Sequence, residues 1–123
     1  MAFYINENGD ISLIQGDSGK IIVDGIDTDS NYTVYFAVQD EKRTPVGSEL
    51  FVNSNGSSTV TFELTGDFTD LLTVPKNKPY SIYRYGIKVC NSSNNIENTL
   101  IIGKNDIGYE NVMIVYPKRI EGI

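Results

Sequence analysis

Several stretches of this chain alternate apolar and polar residues with a period of two, and clusters of Gly, Asn, Asp and Ser separate them. Such a pattern suits half-buried strands and very little else. "YTVYFAVQ" places Tyr32, Val34, Phe36 and Val38 on one face, and Thr33, Tyr35, Ala37 and Gln39 on the other. "STVTFELT" sets Val60, Phe62 and Leu64 against Thr59, Thr61, Glu63 and Thr65, which predicts one buried and one wet face. "SIYRYGIKV" sets Tyr83, Tyr85, Ile87 and Val89, read as core, against Ile82, Arg84, Gly86 and Lys88. "NTLIIG" and "NVMIVYP" read as two further strands, and "DISLI" with "KIIVD" as an opening hairpin around Gly16 to Gly19. "SELFVN" is expected to pair with a neighbour through "DEKRTPVG" or "SNGSS", where Pro45, Gly47 and Gly56 form turns.

The single helical spacing, Phe68, Leu71 and Leu72 in "TGDFTDLLTVPKN", predicts a short helix capped by Asp67 or Thr69 and ended by Pro75. The expected fold is therefore an all-β, antiparallel β-sandwich of about seven to nine short strands, with at most one short helix near residues 67–73. At 123 residues, with 40% hydrophobic and 21% charged residues, the chain suits one folded domain over 1–123. Residues 1–8 and 118–123 fall outside the strongest strands and read as docking or flexible ends. Their apolar residues, Phe3, Tyr4, Ile5, Ile120 and Ile123, predict that one terminus docks on a neighbouring subunit.

The turn "GDSG" repeats the residues around the nucleophilic serine of chymotrypsin-like proteases. Ser18 would need a base, and the chain has no histidine. Gly16, Asp17 and Gly19 favour a turn, so Lys20 is not set beside Ser18 as a strand would set it. "GDSGK" also departs from a phosphate-binding loop, because positions 14 and 21 are Ile14 and Ile21. The single cysteine, Cys90, has no internal disulfide partner and reads as a small buried hydrophobe. Asn31, Asn55 and Asn91 open glycosylation sequons but read as turn residues, since "MAFYINENGDISLIQGD" has no basic region followed by an apolar run. No apolar run approaches the ~20 residues of a membrane-spanning helix. A net charge of −6 repels phosphate backbones, so neither nucleic acid nor membrane is an expected partner.

"DGIDTDSN" gathers Asp24, Asp27, Asp29 and Asn31, whose oxygens could converge on calcium. An EF-hand starting at Asp27 would need Gly and Glu where Tyr32 and Val38 stand, so a single-loop calcium site is the weaker alternative to an Asx-rich turn. Apart from this calcium alternative, no cofactor is expected. Glu49, Glu63, Glu97 and Glu110 carry no catalytic signal unless two of them face each other across a cleft. Among the eight tyrosines, Tyr35 and Tyr80 occupy opposite-face or strand-end positions and are the candidates for a contact surface, together with Phe3 and Tyr4.

The elements "LIQGDSGKIIV", "YSIYRYGIKV", "NTLIIGKNDI" and "NVMIVYP" follow one another in an order that resembles the N-terminal domain of upper baseplate proteins of tailed bacteriophages, and related tail components. In that group an early "QGD" strand begins a sandwich, a Tyr-x-Tyr strand comes later, and a "T-L-I-x-G" strand and a final strand follow. The resemblance implies a structural protein of the virion, assembled in the bacterial cytoplasm and without catalysis. Its partners would be other tail or baseplate proteins, or copies of itself in a homo-oligomer. The competing expectation is a β-sandwich module that binds carbohydrate or a receptor through surface tyrosines.

Overall fold

A computed structural model describes residues 3–5, 9–92, 97–101 and 112–117. Among the described residues, nine strands and one short helix follow in the order β1 (Phe3–Ile5), β2 (Ile11–Ile14), β3 (Gly19–Val23), β4 (Tyr32–Gln39), β5 (Pro45–Asn53), β6 (Val60–Leu64), α1 (Gly66–Thr69), β7 (Ser81–Asn91), β8 (Glu97–Ile101) and β9 (Val112–Tyr116). They form an all-β, sandwich-like fold. The larger sheet runs β1-β2-β9-β7-β4-β5, with β8 also on β7, and the smaller sheet is β3-β6.

The period-two pattern sets which side chains meet between the layers. Val34, Phe36 and Val38 of β4, and Tyr83, Tyr85, Ile87 and Val89 of β7, are buried, as are Val60, Phe62 and Leu64 of β6. Phe36 sits at the junction, its ring 5.7 Å from that of Phe62 in the opposite sheet and 5.7 Å from that of Tyr85 beside it. The two core tyrosines satisfy their hydroxyls on loops. Tyr83 donates to the Thr73 carbonyl at 2.6 Å, and Tyr85 donates to the Gly9 carbonyl.

Several local expectations are corrected. The β2–β9 pairing is parallel, whereas the other ladders are antiparallel. β2 and β3 do not form a hairpin: β2 pairs with β1 and β9, and β3 pairs with β6, so the "GDSG" turn carries the chain from one sheet to the other. Both strands thereby point apolar residues, Ile11 and Leu13 against Ile21 and Val23, into one core. Pro45 and Gly47 lie within β5 and not in a loop. The turn is instead made by Asp40, whose carboxylate accepts from the Lys42 and Thr44 amides at 2.8 and 2.9 Å. Pro45 is tolerated as the first residue of an edge strand, where its missing N–H breaks no ladder.

The helix is capped by Thr65, whose hydroxyl accepts from the Phe68 amide at 3.2 Å, and it ends at Thr69 without help from Pro75. Leu72 then turns into the core, Phe68 is partly buried, and Leu71 stays exposed. Cys90 is half-buried, because its position on β7 faces away from the core residues Tyr83 to Val89.

Candidate interaction surface

Register places the sequence-derived candidates on particular faces. Phe3 pairs with Leu13 and Tyr4 with Ser12, so Phe3 shares the core side of the sheet and Tyr4 the outer side. Residues 3–5 are thus bound to the chain's own β2, with the Phe3 ring lying over Gly19. Ile120 and Ile123 lie outside the described residues.

Across the outer face, Tyr4, Ser12, Ile114 and Ile82 stand in one row over β1, β2, β9 and β7, a width of about 14 Å at the usual strand spacing. A second row holds Ile14, in register with Tyr116, and Tyr80, whose ring meets that of Tyr116 edge-on at 6.1 Å. The intervening residues Leu13, Met113, Val115 and Tyr83 are buried, which fixes the outward direction of these two rows. Tyr4 is 53% exposed, Tyr80 43% and Tyr116 42%. An outer sheet face ordinarily alternates to polar residues. Here six positions, Tyr4, Ile14, Ile82, Ile114, Tyr80 and Tyr116, are aliphatic or aromatic, the three tyrosines exposed and the three isoleucines half-buried.

Tyr35 lies elsewhere on the same sheet. It pairs with Lys88, eight residues along β7 from Tyr80, or roughly 26 Å away. The structure therefore brings Tyr4 and Tyr80 onto one patch and leaves Tyr35 apart. Tyr35 instead meets Phe51 of the edge strand β5, with ring centres 6.3 Å apart, and Phe51 is 65% exposed. Beside Tyr35 the outer face dips. Ala37 pairs with Gly86, so a methyl and a hydrogen form the floor between the Tyr35–Lys88 and Gln39–Arg84 pairs. The concavity has a volume of about 320 Å³ and is also bordered by Arg43 and Glu49. β5 supplies Glu49 through an irregularity opposite Ala37, where the register jumps from Leu50 to Val46. Gly47 permits that jump: its φ is +70°, and a Cβ there would stand 2.9 Å from the Phe68 ring.

The acidic loop is spread over separate contacts. Asp24 accepts from the Thr59 hydroxyl at 2.7 Å, Asp29 from the Tyr32 hydroxyl at 3.0 Å, and Asn31 from the Asn55 amide at 2.9 Å. Among the described residues no group of three or more acidic, His or Cys side chains is gathered as a metal would require, and Asp27 joins no such group. The Asp29 hydrogen bond raises the Tyr32 phenol above its ordinary pKa, with smaller contributions from burial and from the Asp29 and Asp27 charges. Ser18 is exposed on its turn. Glu63 is within 3.9 Å of Lys20 across the β3–β6 ladder, an exposed pair of little energetic weight. Glu110 and the side chain of Glu97 lie outside what is described.

Ile14, Ile82, Ile114, Tyr116 and Phe51 escaped the sequence reading. For Ile114 and Tyr116 the signal was present in "VMIVY", whose outer side carries no charged or amide residue where alternation would ordinarily place one. Compared with family models and with curated proteins, the chain matches none.

Proposed function

We propose that this chain is a non-enzymatic structural component of a phage or prophage-derived tail or baseplate, working through protein–protein contacts in the particle. The observation that carries the reading is the apolar outer face built from Tyr4, Ile14, Ile82, Ile114, Tyr80 and Tyr116. A contiguous apolar surface on a sheet is a mark of association, because burial removes it from water at about 25 cal/mol per Å². The resemblance in the order of the strand motifs supplies the setting, and copies of this chain or other tail proteins are the partners it implies.

The test is molar mass by light scattering on a sizing column, for the native chain and for the Tyr4→Lys/Tyr116→Lys double variant. Both side chains lie on the outer face and outside the buried core, so the variant keeps its core. A defined oligomer that the variant reduces to monomer is the expected result. A native monomer at every soluble concentration, unaltered by the substitutions, would count against self-association through this face.

A second reading, a carbohydrate- or receptor-binding module, is favoured by one separate observation. The concavity beside Tyr35 combines an aromatic wall, a flat small-residue floor and polar side chains at its rim.

A further inference from the structure

We infer that the free edge of β5 pairs with the same edge of a second copy of this chain, residues 49–53 of the two copies running antiparallel and joining their larger sheets into one. This edge closes the strand order at the end opposite β1, so the contact is separate from the apolar outer face on β1, β2, β9 and β7.

Among the described residues β5 pairs only with β4. The Ser54 amide donates to the Tyr32 carbonyl at 2.7 Å, in line with the register that sets Asn53 against Thr33 and Val52 against Val34. Antiparallel ladders alternate bonded and non-bonded pairs, so Val52 and Leu50 use their backbone groups on β4. The amides and carbonyls of Phe51 and Asn53 then point to the free edge. Edges are commonly blunted by Pro, Lys or a bulge. β5 has Pro45 and the irregularity at Gly47 near its start, but residues 49–53 hold neither Pro nor Lys.

The flank of this edge is also unfilled. Val34 and Phe36 of β4 are fully buried, whereas their partners Val52 and Leu50 are only partly buried. Beside them a groove of about 280 Å³ lies between β5 and β6, lined by Glu49, Leu50, Phe51, Val52, Phe62 and Glu63. An added strand would set apolar side chains over this groove while its backbone met Phe51 and Asn53.

A second copy fits in one register. Residues that point to the edge must face each other, so Phe51 can stand opposite Glu49, Phe51 or Asn53 of the other copy. Facing Glu49 would set Asn53 against Gly47 at the irregularity, and facing Asn53 would set Glu49 against Asn55, a turn residue with φ +52°. Phe51 facing Phe51 keeps all of 49–53 paired about a two-fold axis. Glu49 then stands opposite Asn53, so no like charges are opposed, and Leu50 stands opposite Val52 on the core side. On the outer side two Tyr35–Phe51 pairs join into a row of four rings. Five residues a side is far below the roughly 20–30 of a stable interface, so the pairing is weak and forms at NMR concentrations rather than on a sizing column.

The experiment is amide hydrogen exchange by NMR on the full chain across a range of concentrations. The Phe51 and Asn53 amides should exchange more slowly as concentration rises, by about tenfold where about nine-tenths of the chain is paired, because only free copies exchange. Added salt should strengthen the effect, since it screens repulsion between two chains each of net charge −6. Phe51→Lys opposes like charges and should abolish the slowing; Phe51 is 65% exposed, and an unchanged amide spectrum away from β5 shows that the variant is folded. The Tyr4→Lys/Tyr116→Lys variant should keep the slowing, which separates this edge from the outer face. Fast exchange at Phe51 and Asn53 at every concentration would overturn the pairing, whatever oligomer another surface forms. Slow exchange that does not vary with concentration would place the cover within one chain and overturn it equally.

Discussion

Replacing Thr69 by Val tests whether the "GDSG" turn is a structural corner. Thr69 is fully buried at the end of α1, and its hydroxyl donates to the Asp17 carbonyl at 2.8 Å, across 52 residues of sequence. Gly66 of the same helix lies so close that a Cβ there would stand 2.6 Å from the Gly16 carbonyl oxygen. The helix is thus seated on the turn by one side-chain hydrogen bond and one close backbone approach. Val has nearly the shape of Thr, so packing is kept while the donor is lost. A net hydrogen bond contributes roughly 0.5–1.5 kcal/mol, and an acceptor left unsatisfied in a buried setting costs about 1–3 kcal/mol. Asp17 is half-buried, so water reaches part of its surroundings and the expected loss is about 1–2 kcal/mol. For a domain of 123 residues this lowers Tm by roughly 4–8 °C.

Urea unfolding followed by circular dichroism measures the loss, since the chain has no tryptophan to report by fluorescence. Thr69→Ser is the control. It keeps the donor and removes one methyl, at about 0.8 kcal/mol by transfer. In Thr69→Val, amide exchange should also quicken at Asp17 to Gly19 before it quickens in β4 and β7. If Thr69→Val were as stable as the native chain, the contact between α1 and the turn would not hold this corner, and the reasoning would be refuted.

Two further outcomes follow from single contacts. Gly19→Ala puts a methyl where the Phe3 ring lies, so β1 should detach from β2, with rapid amide exchange at residues 3–5 and earlier proteolysis of the N-terminus; retained protection there would disprove the packing. Burial, aided by the nearby Asp10 charge, pushes the Tyr85 hydroxyl up to about 12 from an ordinary 10.0. Because the folded state holds this proton more tightly than the unfolded chain, the stabilising contribution is complete below pH 10 and is lost as pH rises towards 12. Tyr85→Phe should flatten that alkaline slope relative to the native chain in denaturation measured across the same window, and an unchanged slope would assign it to other groups.

Much of the architecture was legible from the period-two pattern alone. The outward and inward residues of β4, β6 and β7 follow from alternation because a strand's side chains must point to opposite sides, whatever it pairs with. The all-β sandwich class and the turn at Gly16 to Gly19 were readable for the same local reason. Pairing is not local. Nothing within "DISLI" or "KIIVD" says that they belong to different sheets, or that β2 lies parallel to a strand about 100 residues later. The position of Pro45 inside β5 also depends on its being at a sheet edge, which only the assembled sheet defines.

The candidate surfaces divide in the same way. That Tyr4, Tyr35 and Tyr80 are amphipathic and off the main core face is a property of their own segments. That Tyr4 joins Ile14, Ile114, Tyr116 and Tyr80 in one patch is decided by three ladders aligning β1, β2, β9 and β7. The concavity beside Tyr35 likewise exists because register sets Ala37 against Gly86 between two pairs of larger residues. A sequence thus determines which way each strand faces, since that depends on neighbouring residues. The tertiary structure decides which faces are shared, because that depends on the free energy of burying the whole set at once.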